Sequence, residues 1–343
     1  MITRNDVARH AGVSAAVVSY VVNDGPRPVA AATRERVVAS MRELGYRPNA
    51  VARSLKTQRT GVLGLIMPDT ANSYFAQLLR EIELAATQRG LALLVANSLG
   101  DPDREQSYAH AFLDRRVDGI ALVCADPGTS VVRLVRDAGV PFVTVDRDTT
   151  AAASGVRVDN AAGGELATRH LIGHGHRRIA VLRGPERLPT AAERVVGWAN
   201  ALAGAGLPAS RALISASSGF SRHSAYEDAL RLLAVRRPPT AIFATADEQA
   251  LGVYRAARAT GRTIPDDLAV VSFDSAETAP YLVPGLTAVR QPIAEMARAA
   301  VGRLVEQLEQ AGDRTTTDVF PVDLAVRGSC GCPDPDPTSA EDD

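Results

Sequence analysis

From Thr60 onward, short apolar runs alternate with amphipathic helical patterns, and this alternation constrains the fold more than any other feature of the chain. The runs at 62–67, 92–96, 119–123, 142–145, 179–182, 241–244 and 268–273 read as strands. Helical spacing fits 74–89, 103–115, 161–171, 191–205, 225–234, 248–260 and 293–308. In the last of these, Ile293, Met296, Ala297, Ala300, Val301, Leu304, Val305 and Leu308 repeat with the helical period and form one apolar face. Strands that alternate with helices build parallel sheets covered on both faces and joined by right-handed crossovers. There is enough chain for two such sheets.

The first 59 residues follow a different rule. Thr3 reads as an N-cap, with Asp6 as its capping-box partner. Gly12 supplies a tight turn, because glycine takes positive φ without strain. Ser14 then caps a second helix over 15–23. Val7, Ala11, Val17, Val18 and Val21 give the pair apolar faces that pack on each other. Such a unit is either an ordinary αα-hairpin or a helix-turn-helix, whose second helix enters the major groove of DNA. A third helix is expected over 32–44, ended by Gly45 and kept from restarting by Pro48. The segment 49–55 opens with Asn49 as N-cap but is shorter than the roughly 12–15 residues an isolated helix needs in water. DNA and a twin subunit are the partners that could hold it. Charge follows the same division. Residues 1–59 carry 10 Arg/Lys against 4 Asp/Glu, and the remainder 28 against 35. The formal net charge of −1 therefore conceals a basic head on an acidic body, as phosphate contacts require.

A length of 343 residues allows two or three domains. No apolar run reaches the roughly 18 residues of a membrane span. The N-terminus has no apolar signal core, so a cytoplasmic protein is expected. Cys124 follows an apolar strand and reads as a small buried hydrophobe. Cys330 and Cys332 have neither the redox Cys-x-x-Cys spacing nor that of half a zinc site. His174 and His176 sit in a Gly-rich turn with no matching ligand nearby in sequence, which favours a loop role. No metal and no cofactor is expected. The dinucleotide fingerprint, the phosphate loop and the nucleophile elbow are all missing, which argues against an enzyme. A transporter's solute-binding protein would share the body but needs export and has no use for the head. The acidic, Pro-rich tail, 331–343, is expected to be disordered.

Open α/β sheets bind ligands beyond the carboxyl ends of their strands, and two facing sheets leave a cleft there. The segment 69–75, Asp146-Arg147, Arg183-Gly184-Pro185, Ala246-Asp247 and Asp274 fall at those ends. Carboxylates and arginine forks fix hydroxyls, and aromatic faces cover an apolar ring, so the set suits a polyhydroxylated ligand. Asp247 reads equally well as the cap of the next helix.

The chain resembles the LacI/GalR family of bacterial transcription regulators. The likeness rests on Asp6-Val7-Ala8, Ala11-Gly12-Val13-Ser14, Val18-Ser19, Val21-Val22-Asn23, Thr33-Arg34-Glu35-Arg36-Val37, Leu44-Gly45-Tyr46-Arg47-Pro48-Asn49 and Ala52-Arg53-Ser54-Leu55, and it continues to about Arg327. It implies a helix-turn-helix head over 1–47, a hinge helix and linker over 48–60, and an effector-binding and dimerisation core of the periplasmic-binding-protein type over 61–330. The core would divide into 61–158 plus 288–320 and 159–287 plus 321–330, joined by three crossing strands. The resemblance places Thr3, Ser14, Ala15, Ala16, Ser19, Tyr20, Asn23, Asn49, Ala52 and Arg53 on double-stranded operator DNA, with Leu55 as a minor-groove wedge. It makes Arg194 the arginine that grips effector and Asp274 a hydroxyl-binding carboxylate. Tyr74, Phe75, Asp146, Arg147, Phe220, Asp247 and Gln291 complete the implied site. The expectation is a dimeric repressor on a near-palindromic operator, controlled by a sugar or sugar derivative. No leucine-heptad tail is visible, which favours a dimer over a tetramer.

Four features depart from the family pattern. Ala246-Asp247 stands where Asn-Asp is common, and Ser272-Phe273-Asp274-Ser275 where Gly-Phe-Asp-Asp is common. Ala15, Ala16 and Tyr20 occupy base-reading positions, the last where many relatives carry arginine. Ala30 replaces the serine that caps the third helix, with Thr33 expected to recover part of the cap further on.

Overall fold

A computed structural model describes residues 2–23, 27–47, 54, 57–123, 130–147, 154–215, 219–309 and 316–335. The chain divides into two units, Met1–Thr60 and Gly61–Asp343.

In the first unit, α1 (Arg4–His10), α2 (Ala15–Asn23) and α3 (Ala31–Glu43) surround a core centred on Val7, Val18 and Val37, all fully buried. The capping box forms as the sequence predicts. Asp6 N–H bonds the Thr3 hydroxyl, and Thr3 N–H donates to Asp6 Oδ2 at 2.9 Å. Val17 is only partly buried. His10 Nδ1 lies 3.0 Å from Ser40 Oγ, tying α1 to α3. Arg34 donates to Val21 O at 3.3 Å and so satisfies a carbonyl near the end of α2. The third helix begins at Ala31, with Ala30 at the cap and no side-chain cap bond. Thr33 therefore lies inside the first turn and recovers nothing.

The second unit holds two sheets. The first, of six strands, comprises β1 (Val62–Met67), β2 (Ala92–Asn97), β3 (Gly119–Leu122), β4 (Phe142–Val145), β5 (Gly155–Val158) and β10 (Thr317–Phe320). Its order is β10-β5-β4-β3-β1-β2, parallel throughout. The second, of five strands, comprises β6 (Ile179–Leu182), β7 (Ala241–Ala244), β8 (Ala269–Asp274), β9 (Thr287–Arg290) and β11 (Asp323–Ala325), in the order β11-β9-β8-β7-β6. Helices α4 (Ser73–Thr87), α5 (Pro102–Asp114), α6 (Ser130–Asp137) and α11 (Ile293–Glu309) accompany the first sheet. Helices α7 (Asn160–Gly173), α8 (Pro189–Gly204), α9 (Arg222–Leu233) and α10 (Asp247–Ala259) accompany the second. Every residue of β3, β6, β7 and β8 is buried, as unbroken apolar runs require of strands covered on both faces.

The chain passes between the sheets after β5, after β9 and after β10. Since β9 ends at Arg290 in the second sheet, the boundary expected at 288 falls inside a strand. The expectation of parallel sheets also needs one correction, because β11 pairs antiparallel with β9 at the sheet edge. Only Pro321-Val322 separates β10, in the first sheet, from β11, in the second. A second correction concerns the tail. Residues 331–335 are ordered against the core, because the Asp334 carboxylate accepts from Gly285 N at 2.9 Å and Gly328 N at 2.7 Å. Among the described residues no helix is long and apolar enough to cross a membrane.

One helix pair fixes the geometry of the cleft. A Cβ on Gly164 would lie 2.2 Å from Arg194 O, and one on Gly197 would lie 2.1 Å from Ala161 O. Only glycine allows α7 and α8 to touch backbone to backbone. That contact sets Arg194, on α8, against Asn160, the first residue of α7.

Candidate functional site

Strand ends from both sheets meet at one cleft. It is lined by Asn72, Tyr74, Phe75, Asp146, Arg147, Thr190, Arg194, Phe220, Ala246 and Asp274. Its polar groups bond one another from sheet to sheet. The Tyr74 hydroxyl donates to Asp146 Oδ1 at 2.9 Å and lies 3.2 Å from Gln291 Oε1. Gln291 Nε2 donates to Asp274 Oδ1 at 2.9 Å. Arg194 approaches the same oxygen at 3.5 Å, donates from Nε to Asn160 Oδ1 at 2.8 Å and from Nη1 to Thr245 O at 2.6 Å. Its guanidinium lies over Phe273, 3.6 Å from the ring centroid. Arg147 pairs with Asp146 at 3.5 Å and lies 5.6 Å from the Phe75 ring centroid. At the rim, Ser73 Oγ donates to Glu248 Oε1 at 3.4 Å, and Arg222 Nη2 reaches the same oxygen at 3.1 Å. Arg80 reaches Glu277 at 3.2 Å. With these bonds made, the free space in the cleft is about 20 Å³.

Local backbone supports the assignment of this place to function. Asp146, Asp274 and Ser275 have φ of 68°, 115° and 52°, values that non-glycine residues rarely hold. Such strain gathers at ligand clamps, where surrounding contacts over-determine it. Burial and the neighbouring Asp146 and Asp274 carboxyls push the Tyr74 phenol well above its usual range, so it remains a donor. Burial also pushes the Asp274 carboxyl well above the ordinary carboxylate range, against the opposing pull of Arg194.

The parts of the chain match known families. Residues 3–49 match the bacterial regulatory proteins of the lacI family, and residues 168–330 match the periplasmic binding protein-like domain. The HTH-type transcriptional repressor PurR of Photobacterium profundum is 33% identical over 331 residues, covering 96% of this chain and 98% of that one. The chain belongs to the LacI family of bacterial transcription regulators. This LacI-family protein is a DNA-binding transcriptional repressor and not an enzyme. Its fold is that of the lac repressor dimer solved with operator and the anti-inducer ONPF, at a TM-score of 0.84 and 28% identity over 96% of this chain and 99% of that one. The transcriptional regulator CelR in complex with cellobiose superposes at a TM-score of 0.74, with 30% identity over 96% and 100%. A LacI-family regulator from Enterococcus faecium with bound ribose gives 0.71, with 28% identity over 78% and 98%.

Within the LacI-family repressor, one departure bonds the aspartate that follows another. Ser272, where glycine is common, donates its hydroxyl to Asp247. Asp247 also accepts from Ala276 N at 2.7 Å. It is therefore neither the cap of α10, whose N-cap is Ala246, nor part of the cleft lining. It braces the strained turn behind Asp274. Burial pushes its carboxyl up to about 6, while the Ser272 and Ala276 bonds hold it down. Ser275, in place of the second aspartate, accepts from Arg327 at 3.3 Å. Gln291 acts in the same supporting way, bridging Tyr74 and Asp274 behind the lining.

On the head, Ser14 caps α2 by accepting from Val17 N at 3.3 Å. Ala16 is exposed, and Ala15, Ser19 and Tyr20 are partly buried. The Thr3 hydroxyl donates to Asp6 at 2.7 Å and so serves the cap. Asn23 closes α2. Asn49, Ala52, Arg53 and Leu55 lie outside the described residues, as does Cys124.

The sequence reading missed Asn72, Thr190 and Asn160. Asn72 caps α4 by accepting from Tyr74 N at 2.9 Å, which orients both aromatics that follow it. An Asn one position before a helix and just after a strand was the available signal. The reading also missed a convergence elsewhere. His170, His174, Cys330 and Cys332 bring four possible donor atoms within 4.8 Å of one another. Of the two histidines given loop roles, only His176 is seen in one, 2.9 Å from Thr240 Oγ1.

Proposed function

We propose that this repressor binds its operator as a homodimer and that a sugar or sugar derivative, bound in the core cleft, controls that binding. The observation that carries the reading is the chain Asp146–Tyr74–Gln291–Asp274–Arg194–Asn160, which links the two sheets through donors and acceptors spaced for hydroxyls. Phe75 and Phe220 supply aromatic faces in the same lining. That two solved relatives hold carbohydrates, cellobiose and ribose, supports the ligand class. The roughly 20 Å³ now free is far below the ~300–1,000 Å³ of usual small-molecule sites, so entry requires the lobes to part. Parting the lobes is the motion by which the cleft would act on the head. The effector regulates only if it binds the DNA-competent and incompetent states with different affinity.

We assign residues 1–47 to the head, 48–60 to the hinge and 61–330 to the core, with Leu55 as the apolar wedge at the hinge. Exposed Leu84, Val95 and Leu99 lie on α4, on edge strand β2 and just after it, and supply apolar surface for a second copy. A repressor works where its DNA is, which places this one with the nucleoid in the cytoplasm.

The test has two stages. Selection from random DNA by the full chain should enrich a near-palindrome whose binding weakens with salt. Calorimetry with monosaccharides, disaccharides and nucleobases, followed by operator binding with each ligand found, should give a carbohydrate that changes operator affinity by ~5–150-fold. A response to nucleobases alone overturns the carbohydrate class. Ligands that bind without changing operator affinity overturn effector control from the cleft.

A further inference from the structure

The C-terminal end of α7 meets the turn Gly328–Cys330 at the convergence of histidines and cysteines. His170 lies in the last turn of that helix and His174 at its C-cap, four residues on and on the same face. His170 Nε2 is 3.1 Å from Cys330 Sγ and 4.0 Å from Cys332 Sγ. His174 Nε2 is 3.3 Å from Cys332 Sγ. Both rings thus aim the same nitrogen at sulfur. Gly331, between the cysteines, has φ of 98°, and a Cβ there would meet His174 Nδ1 at 3.7 Å. Glycine's freedom at that position brings both thiols to one side.

These distances have the size of a metal's coordination shell. A zinc ion with bonds of about 2.3 Å to sulfur and 2.0–2.1 Å to nitrogen sets its four donors roughly 3.3–3.8 Å apart. The surroundings already hold the donors. Thr287 Oγ1 lies 3.2 Å from Cys330 Sγ, and Asp334, two residues beyond Cys332, anchors the segment through Gly285 N and Gly328 N. Such outer bonds orient ligands before the metal arrives.

We propose that His170, His174, Cys330 and Cys332 bind one Zn²⁺ as a closed structural site. Two thiolates and two neutral imidazoles balance the charge of the ion, and the two thiol protons pass to solvent on binding. With four protein ligands no position remains for a substrate, so the metal clips and does not catalyse. It fastens the chain beyond β11 to α7, the helix whose opposite end, Asn160, holds Arg194 in the cleft. The site is separate from that cleft and does not depend on what fills it.

Tag-free, full-length protein from zinc-replete culture should carry about one zinc per chain by plasma mass spectrometry. Replacement by Co²⁺ should give the intense ligand-field and thiolate charge-transfer absorption of a tetrahedral thiolate site. His174→Ala and Cys332→Ser, at exposed and partly exposed positions, should lose both signals while circular dichroism and operator binding stay unchanged. Chelation should lower the wild-type melting temperature to that of the variants and leave theirs unmoved. Folded, reduced protein with no zinc and no cobalt spectrum overturns the proposal. So does zinc that persists in both variants, or a Cys330–Cys332 disulfide in protein purified without reductant.

Discussion

In the head, Thr3 bonds Asp6 three residues on, and His10 reaches Ser40 across 30. In the core, Tyr74 reaches Asp146 across 72 residues and Gln291 across 217. The head is therefore a local object, with helices specified by their own caps and turns. The cleft exists only after both sheets have assembled, since each contributes part of one hydrogen-bonded chain. A substitution in the head should leave ligand binding and core stability untouched, whereas one in the cleft should act on both together.

Arg194→Ala should break the core side of this contrast most strongly. It removes the buried guanidinium that bonds Asn160 Oδ1 and Thr245 O and faces Asp274, and leaving such buried acceptors without their donor costs about 1–3 kcal/mol. Denaturation should show that loss, and calorimetry should show no effector binding, while operator binding survives. A normal ligand titration would remove Arg194 from the site. Leu55→Ala should do the reverse. Losing the wedge should weaken operator binding ~10–100-fold, on the order of the few kcal/mol involved in unstacking a step, with effector binding intact. Unchanged operator affinity by fluorescence anisotropy would refute the wedge.

Asp247 sharpens the comparison through pH. Its carboxyl sits above its unfolded value because burial penalises the charged form. The folded core then binds more protons than the unfolded chain between about pH 4 and about 6, so this group's contribution is full at acid pH and is lost as pH rises through about 6. Asp247→Asn should flatten that part of the stability profile by ~1–3 kcal/mol in urea titrations at stepped pH. A profile parallel to wild type would show that folding does not shift the Asp247 carboxyl. The smallest effect belongs to the head. Ala30 caps α3 without a side-chain bond, so Ala30→Ser should add about 1 kcal/mol to the head's stability. Thermal melts of the full chain should move only in the transition that reports the head.

Short-range physics was readable from the sequence, and long-range assembly only partly so. The Thr3–Asp6 box, the Gly12 turn and the strands with unbroken apolar runs follow from rules that span a few residues. Four strands escaped: β5, β9, β10 and β11. In β10 the run Thr317-Asp318-Val319-Phe320 lies at a sheet edge with alternate residues exposed, and β11 has three residues, so neither carries an apolar run. Helix α6 was missed although Val131, Val132 and Val135 repeat on one buried face. Tyr74, Arg194 and Asp274 do meet in one cleft, and strand-end loops and the family likeness are what point to them. Asn160 was missed because it looks like any helix start. Cys330 and Cys332 were set aside because their partner His170 stands 160 residues away from the first of them. Spacing rules cannot see a partner that only the fold delivers.

The self-paired cleft also sets a pace. In this state the Tyr74, Asp146, Asp274 and Arg194 groups that would greet a ligand are already bonded to neighbours, so a ligand must displace those bonds on arrival. Binding then waits on the spontaneous parting of contacts such as Ser73–Glu248 and Arg80–Glu277. The apparent affinity is the intrinsic one scaled by the fraction of molecules caught open, and at high ligand concentration the rate of capture levels off at the rate of opening.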